Sequence, residues 1–486
     1  MSKFKNGFRN LKKSDQIILG IWFILSIIFF YSFIYNDILE TMRVGISFWE
    51  ELFQGEVRYF YGQKWELTSF AYQKQVQAVY DFPIYIVFAL WNFPIWLVEH
   101  FTGIDVMNSA LCLMWGKTLI LISVFLITNS IYKLCKTLDV SEKMCFVACL
   151  LFLSSNFFTT SIVMMTAYDI IALYFAIEGA NYYFKGSNRG FILCFMCAIP
   201  LKFFALLLFV PLLLLKEKRI PHIIGKCFWG IAPILIFRLL LPCQAVVGDP
   251  STVAFNLTNM LKSTNLSNLA WIYAVYHRIP ISIGEIYPAI VLWIMLLILC
   301  YVVKIDSQEK LNQWGIYVCF AAYAILFVFC MSHPYWILIM IPFVVVMMVQ
   351  NMKGFYFNLI LETGFTWGMI LASIFRFPWC FGNGLVSGMF WPLLLGKQSV
   401  FKSVTPVSIL TEFGISENGF GYFIGIGNTV FVACIFLFAI FNFPTLKNKI
   451  STYDFKEADS RFIFYLRILA GIVIALIPIV MYIIGI

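Results

Sequence analysis

Six ionisable residues stand where an apolar chain makes ionisable groups expensive. Asp37 follows the first long apolar run in "YNDILE", Asp81 precedes a proline in "YDFPIY", and Asp169 opens the run "YDIIALYF". Lys202 interrupts "PLKFFALLLF", His333 begins "HPYWILIMIPF", and Arg376 lies within "FRFPW". Charged side chains in or at the rim of a hydrocarbon layer are costly, so each is a candidate for function. A carboxylate at the membrane edge can take the proton of an acceptor hydroxyl, while a Lys or Arg stabilises charge developing on a departing phosphate. Such groups suit transfer of a glycosyl group from a lipid phosphate, provided one cavity holds both an acid and a cation. Four of the six also have a plainer reading: a helix cap or solvated acid for Asp37, snorkelling for Lys202, a helix cap for His333, and pairing with a lipid phosphate for Arg376.

These groups can meet only if the elements that carry them do. Of the 486 residues, 61% are hydrophobic and 12% are charged, a balance that excludes an ordinary soluble domain. The expectation is an all-α polytopic membrane protein forming a single membrane domain over 1–486. The basic start "MSKFKNGFRNLKKSD" runs into an uncharged stretch with no small-residue cleavage site. It is therefore expected to remain as a first span, with the N-terminus cytoplasmic. The net charge of +9 follows from basic inner loops, and no nucleic-acid partner is expected. The thirteen Cys lie mostly in apolar runs without metal-type spacing and read as small buried hydrophobes. No cofactor is required, and a divalent metal is admissible but not indicated, since no His or Cys cluster exists.

A span needs about 20 apolar residues. Eleven stretches qualify outright, from 16–35 to 462–485. Two are ambiguous. The run 191–215 carries Pro200 and Lys202 at its centre and basic residues on both flanks, so it reads as a short helical hairpin that leaves both flanks cytoplasmic and Lys202 toward the outer side. The stretch from Gln77 to Phe101 is broken by Pro83 and Pro94 and is expected to stay on the outer face as interfacial helices. That assignment gives about 13 transmembrane helices, a C-terminus outside, and most Lys and Arg in or beside inner loops. Three outer segments remain, at 36–104, 242–285 and 376–420. The first includes an amphipathic stretch, "DILETMRVGISFWEELF", and the second holds the triplets at Asn256 and Asn265, which are weak evidence for glycosylation.

This layout resembles the polytopic glycosyltransferases of the C-fold superfamily (GT-C fold), the group that includes protein O-mannosyltransferases and the lipid A aminoarabinose transferase. The likeness rests on Asp37 after the first helix, Asp81 before a proline, Asp169 early in a later helix, Lys202 at the turn of a short helical pair, and "HPYWILIMIPF". A single Asp follows the first helix where the mannosyltransferases have an Asp-Glu pair, and no Lys follows Asp81. The resemblance implies a polyprenyl-phosphate-linked sugar as donor, surrounding membrane lipids, and a glycan, lipid or protein acceptor bound from the outer side. It also implies Asp37 as base, Asp81 as an accessory acid, and Asp169 and Lys202 as substrate or phosphate contacts; His333 and Arg376 are further candidates for that second role. The implied enzyme is an inverting glycosyltransferase of the cell envelope, in the cell membrane with its active site outside. A lipid-linked sugar flippase or other transporter is the alternative, and a non-catalytic scaffold a third reading.

Overall fold

Backbone placed in hydrocarbon must satisfy its own N–H and C=O groups, so long apolar runs fold as helices. The computed structural model describes residues 12–70, 72–241, 279–281, 284–330, 333–386, 391, 404–415, 417–446 and 457–484. Most of the segment 242–285, with Asn256 and Asn265, lies outside the described residues, as does part of 376–420.

Helix α1 (Lys13–Ser32) ends at an extended corner running from Phe33 to Tyr35. Helix α2 (Asn36–Gln54) then carries Asp37 in its first turn, buries Ile38, Leu39, Met42 and Ile46, and stops at Gly55, whose φ of +76° suits glycine. A hairpin follows, β1 (Trp65–Ser69) antiparallel to β2 (Tyr72–Val76), with Trp65 opposite Val76. Helices α3 (Phe82–Trp91) and α4 (Phe93–Thr102) each take a proline in the first turn, where no N–H is needed, and meet at a 66° bend. By length and composition this pair is a broken span or a re-entrant loop. Arg43 of α2 donates to both oxygens of Glu99 at 2.7 and 3.0 Å, and Trp49 donates to the Ala89 carbonyl at 2.9 Å. These bonds strap α3 and α4 to α2.

Helix α5 (Ala110–Thr137) leads to α6 (Glu142–Ser154), which bends by 48° and continues through Asn156–Phe158 into one wide π turn, Thr159–Met164. Helices α7 (Asp169–Phe184) and α8 (Asn188–Leu201) come next, and Lys202 separates α8 from the short turn Phe203–Ala205 and α9 (Leu206–Lys216). Helix α10 (Ile220–Leu240) precedes the small hairpin of β3 (Ile279–Ile281) and β4 (Gly284–Ile286). Beyond it lie α11 (Pro288–Val302), α12 (Gln308–Phe329), the tight turn Pro334–Ile339 and α13 (Ile341–Gln350). The chain closes with α14 (Phe355–Arg376), α15 (Pro406–Glu412), α16 (Glu417–Phe441) and α17 (Glu457–Ile484). Among the described residues seven helices are long and apolar enough to cross a membrane, or nine if each bent pair is one span, with α8, α9, α11 and α13 as shorter apolar helices. The molecule is a helical, multi-pass membrane protein.

Two contacts hold the late helices. Without a hydrophobic force between helices in lipid, small residues allow close approach and supply packing. At the α14–α16 crossing, a Cβ on Gly368 would lie 2.7 Å from the Gly427 carbonyl oxygen, and a Cβ on Gly427 would lie 2.5 Å from that of Gly368. Neither position admits a side chain unless backbone moves. Gly427→Val is expected to lower the unfolding temperature in detergent, at a cost of about 1–3 kcal/mol typical of overpacking. Unchanged melting would place the two helices further apart than this.

The second contact is an ion pair. Arg467 of α17 and Glu362 of α14 are each 1% exposed, with Nη1 2.8 Å from Oε2. Arg467 also donates to the Leu151 carbonyl at 3.0 Å, and Ser155 donates to Glu362 at 3.1 Å. The pair thus ties α17 and α14 to the end of α6.

Candidate functional site

The corner between α1 and α2 is fixed by one turn of α5. Lys117 is fully buried and donates to the carbonyls of Phe30 and Phe33, with its ammonium 4.4 Å from the centre of the Phe30 ring. Helix C-terminal carbonyls lack partners within the helix, and this cation supplies them. Beside it Thr118 and Tyr31 share a hydrogen bond of 3.2 Å, and the Ile34 N–H donates to the Leu385 carbonyl at 2.7 Å. Tyr35 and Asp37 emerge from this corner toward the first turn of α7.

Asp37, Asp169 and Lys202 line one cleft, together with Tyr35, Tyr80, Thr166, Tyr168, Tyr335 and Trp336. Tyr335 donates to Asp37 Oδ2 at 2.9 Å. Burial pushes the Asp37 carboxyl above the usual range; Tyr335 and His333 oppose that rise, while Glu40 and Asp169 add to it. Asp169 opens α7, is nearly buried, and its Oδ1 lies 2.5 Å from Lys202 Nζ. The approach is ionic rather than directional, since that oxygen has no hydrogen bond of good geometry. Lys202 reaches it because α8 ends at Pro200 and Leu201 and the chain turns extended at Lys202, with φ −155°.

Four rings surround the ammonium: Trp336 at 5.1 Å, Tyr80 at 5.3 Å, Phe204 at 5.7 Å and Tyr168 at 5.8 Å to their centroids. Such faces hold a cation by their quadrupoles and restrain its position. The cleft is narrow, so a larger ligand enters only as side chains part.

His333 stands at the edge of the cleft, stacked on Tyr335 with centroids 5.3 Å apart and edge-on to Trp336 at 5.0 Å. Its buried Nδ1 has no partner among the described residues. Burial favours the neutral imidazole and holds it below its ordinary value, against the pull of Asp37 toward the charged form. Asp81 is not part of the cleft lining. It accepts two bonds from Arg238 at the end of α10, at 2.7 and 3.0 Å, while its neighbour Tyr80 faces the cleft. Arg376 lies exposed in the last turn of α14, and no bond or ion pair joins it to the cleft among the described residues.

Sequence reasoning passed over the tyrosines and Arg238. A signal for the tyrosines was present: Tyr35 precedes Asp37 by two residues, Tyr80 stands immediately before Asp81, and Tyr168 immediately before Asp169. Tyr335 and Trp336 lie two and three residues beyond His333. For Arg238 no local signal exists, because its partner is 157 positions away. Among the described residues no group of three or more His, Cys, Asp or Glu is placed to hold a metal.

Comparison with protein-family models, with curated proteins and with solved structures finds no match to this chain.

Proposed function

We propose that this protein is an inverting glycosyltransferase of the GT-C type, moving a sugar from a polyprenyl-phosphate donor to a cell-envelope glycan, lipid or protein on the outer face of the cell membrane. The observation that carries the reading is the meeting of Asp37, Asp169 and Lys202 in one aromatic cleft, although they come from α2, α7 and the α8–α9 junction. With α3 and α4 kept on the outer face, and α7 and the shorter helices counted as crossings, the chain makes about 13 passes. The N-terminus is then cytoplasmic, and the cleft and C-terminus are outside.

In this reading the acceptor oxygen attacks the anomeric carbon as Asp37 takes its proton. The carbon–oxygen bond to phosphate breaks, and its electron pair leaves on the phosphate, where Lys202 meets the added charge. Asp169 holds Lys202 in place until the donor arrives. Asp81, through Arg238, keeps Tyr80 at the cleft wall, and His333 supports Tyr335, the partner of Asp37. Arg376, exposed in the last turn of α14, is assigned to lipid phosphate. No cofactor is needed for these steps.

A lipid-linked sugar flippase is the second reading, favoured by the two bent helix pairs, since broken helices are common in transporters. Proteoliposomes given a panel of polyprenyl-phosphate sugars and envelope acceptors separate the two. Covalent sugar on an acceptor is the expected product, and Lys202→Gln should lower its rate about 100-fold, with Lys202→Arg less affected. Translocated donor with no transferred sugar would replace the first reading by the second, and neither product from any donor would end both.

A further inference from the structure

Thr166 carries two costs at one position. The π turn Thr159–Met164 ends with the N–H groups of Met165, Thr166 and Ala167 donating to the carbonyls of Thr160, Ile162 and Ser161 at 3.1, 3.1 and 2.9 Å. A helix end of this kind calls for a left-handed residue, a place that glycine fills without steric cost. Here the residue is Thr166, with φ +51°, a strained conformation for a β-branched side chain. Its side chain is also completely buried, and Oγ1 has no hydrogen-bond partner among the described residues. An orphaned buried hydroxyl is unfavourable, and glycine would remove both penalties.

Thr166 is one of the residues that line the cleft, with the carboxylates of Asp37 and Asp169 and the rings of Tyr35 and Tyr335. Backbone N–H groups next to it are already bonded within the π turn, so no set of free amides awaits a phosphate there. What the surroundings offer is carboxylate acceptors, the Lys202 amine, aromatic faces, tyrosine hydroxyls and the unpartnered hydroxyl of Thr166, which is the equipment for a polyhydroxylated ring.

We propose that Thr166 is a specificity-determining residue that hydrogen-bonds a ring hydroxyl of the donor's sugar, and that the strained backbone is retained to place its Oγ1 there. The proposal rests on the glycosyl-transfer reading and adds which part of the donor this wall recognises.

The test uses the full chain in lipid nanodiscs and two probes, a set of polyprenyl-phosphate hexoses and the same polyprenyl phosphate without sugar. Thr166→Ala should weaken binding of the hexose-bearing lipid about tenfold, as loss of one buried hydrogen bond does, and leave the sugar-free lipid unchanged. Thr166→Ser should restore most of the loss. Without lipid, Thr166→Gly should unfold no lower than wild type, because strain and the orphaned hydroxyl are both gone. Equal weakening toward both lipids, no weakening toward either, or a lower unfolding temperature for Thr166→Gly each overturns the proposal. Wild type that binds neither lipid removes the glycosyl-transfer reading and this contact with it, whereas wild type that binds both while Thr166→Ala is unaffected removes the contact alone.

Discussion

Asp37→Asn is expected to lower sugar transfer about 1000-fold with little change in protein stability, the scale of a lost general base. The amide keeps the shape of the carboxylate and can still accept from Tyr335, which reaches Oδ2 at 2.9 Å, but it cannot take a proton. The pH profile carries a second expectation. Burial raises the Asp37 carboxyl above its ordinary range, so the base is still protonated at pH values where an exposed Asp is ionised. Transfer should therefore rise with pH through a value above the usual carboxylate range, and Glu40→Gln, which removes a neighbouring negative charge, should move that limb to lower pH. The stability linkage has the sign opposite to that of a salt-bridged acid. The folded state binds the Asp37 proton more tightly than the unfolded chain, so ionised Asp37 costs stability above the folded-state value, and that cost is relieved as pH falls through it. Rates for Asp37→Asn within threefold of wild type, measured on membranes with equal amounts of protein, would remove Asp37 from the chemistry.

Arg467→Met should cost the most stability of any single change at the α14–α17 contact, about 3–5 kcal/mol, because it leaves Glu362 charged, buried and without its cation. The geometry leaves little room for compensation: both side chains are 1% exposed, and the remaining groups on Glu362, Ser155 and Thr366, are neutral hydroxyls at 3.1 and 3.4 Å. Removing both charges is a different matter. The double variant Glu362→Leu with Arg467→Met trades an ion pair for apolar packing and should recover most of the loss, since buried pairs gain little over apolar residues of similar volume. Unfolding in detergent reads both. A single variant as stable as wild type, or a double variant no better than the single, would show that the pair is not isolated from water.

The sequence makes the helices legible because hydrocarbon length and internal hydrogen bonding leave few alternatives, and the stretch expected to begin at residue 16 falls in α1 (Lys13–Ser32). Pro200 and Lys202 are visible as an interruption, and the chain does turn there. The acids near helix ends stand out because charge is rare in such a chain. Partners are another matter. Arg467 and Glu362 each sit inside an apolar run and are joined across 105 positions, and Arg238 finds Asp81 across 157. No spacing rule reaches that far; only the packing of helices brings those groups together. Attention to the outer ends also left Lys117 unread, although a lone lysine inside "LMWGKTLILIS" carries the same signal of cost as Asp169. Its acceptors are the backbone carbonyls of Phe30 in α1 and Phe33 just beyond it, which leave no mark in the sequence.

Lys117 also bears on how the chain is made. Helix α5 leaves the ribosome with a lysine near its start that bonds two backbone carbonyls; insertion scales put a lysine at roughly 2.5–3.5 kcal/mol at the centre of a spanning helix, an upper bound here. Its acceptors lie at the end of α1 and in the corner just after it, which are synthesised first. For the newborn protein the end of α1 is a docking post, made before the lysine that it will receive. An early helix that diffused away would strand the lysine in lipid, so biogenesis and the placement of the α1–α2 corner depend on the same pair of carbonyl groups.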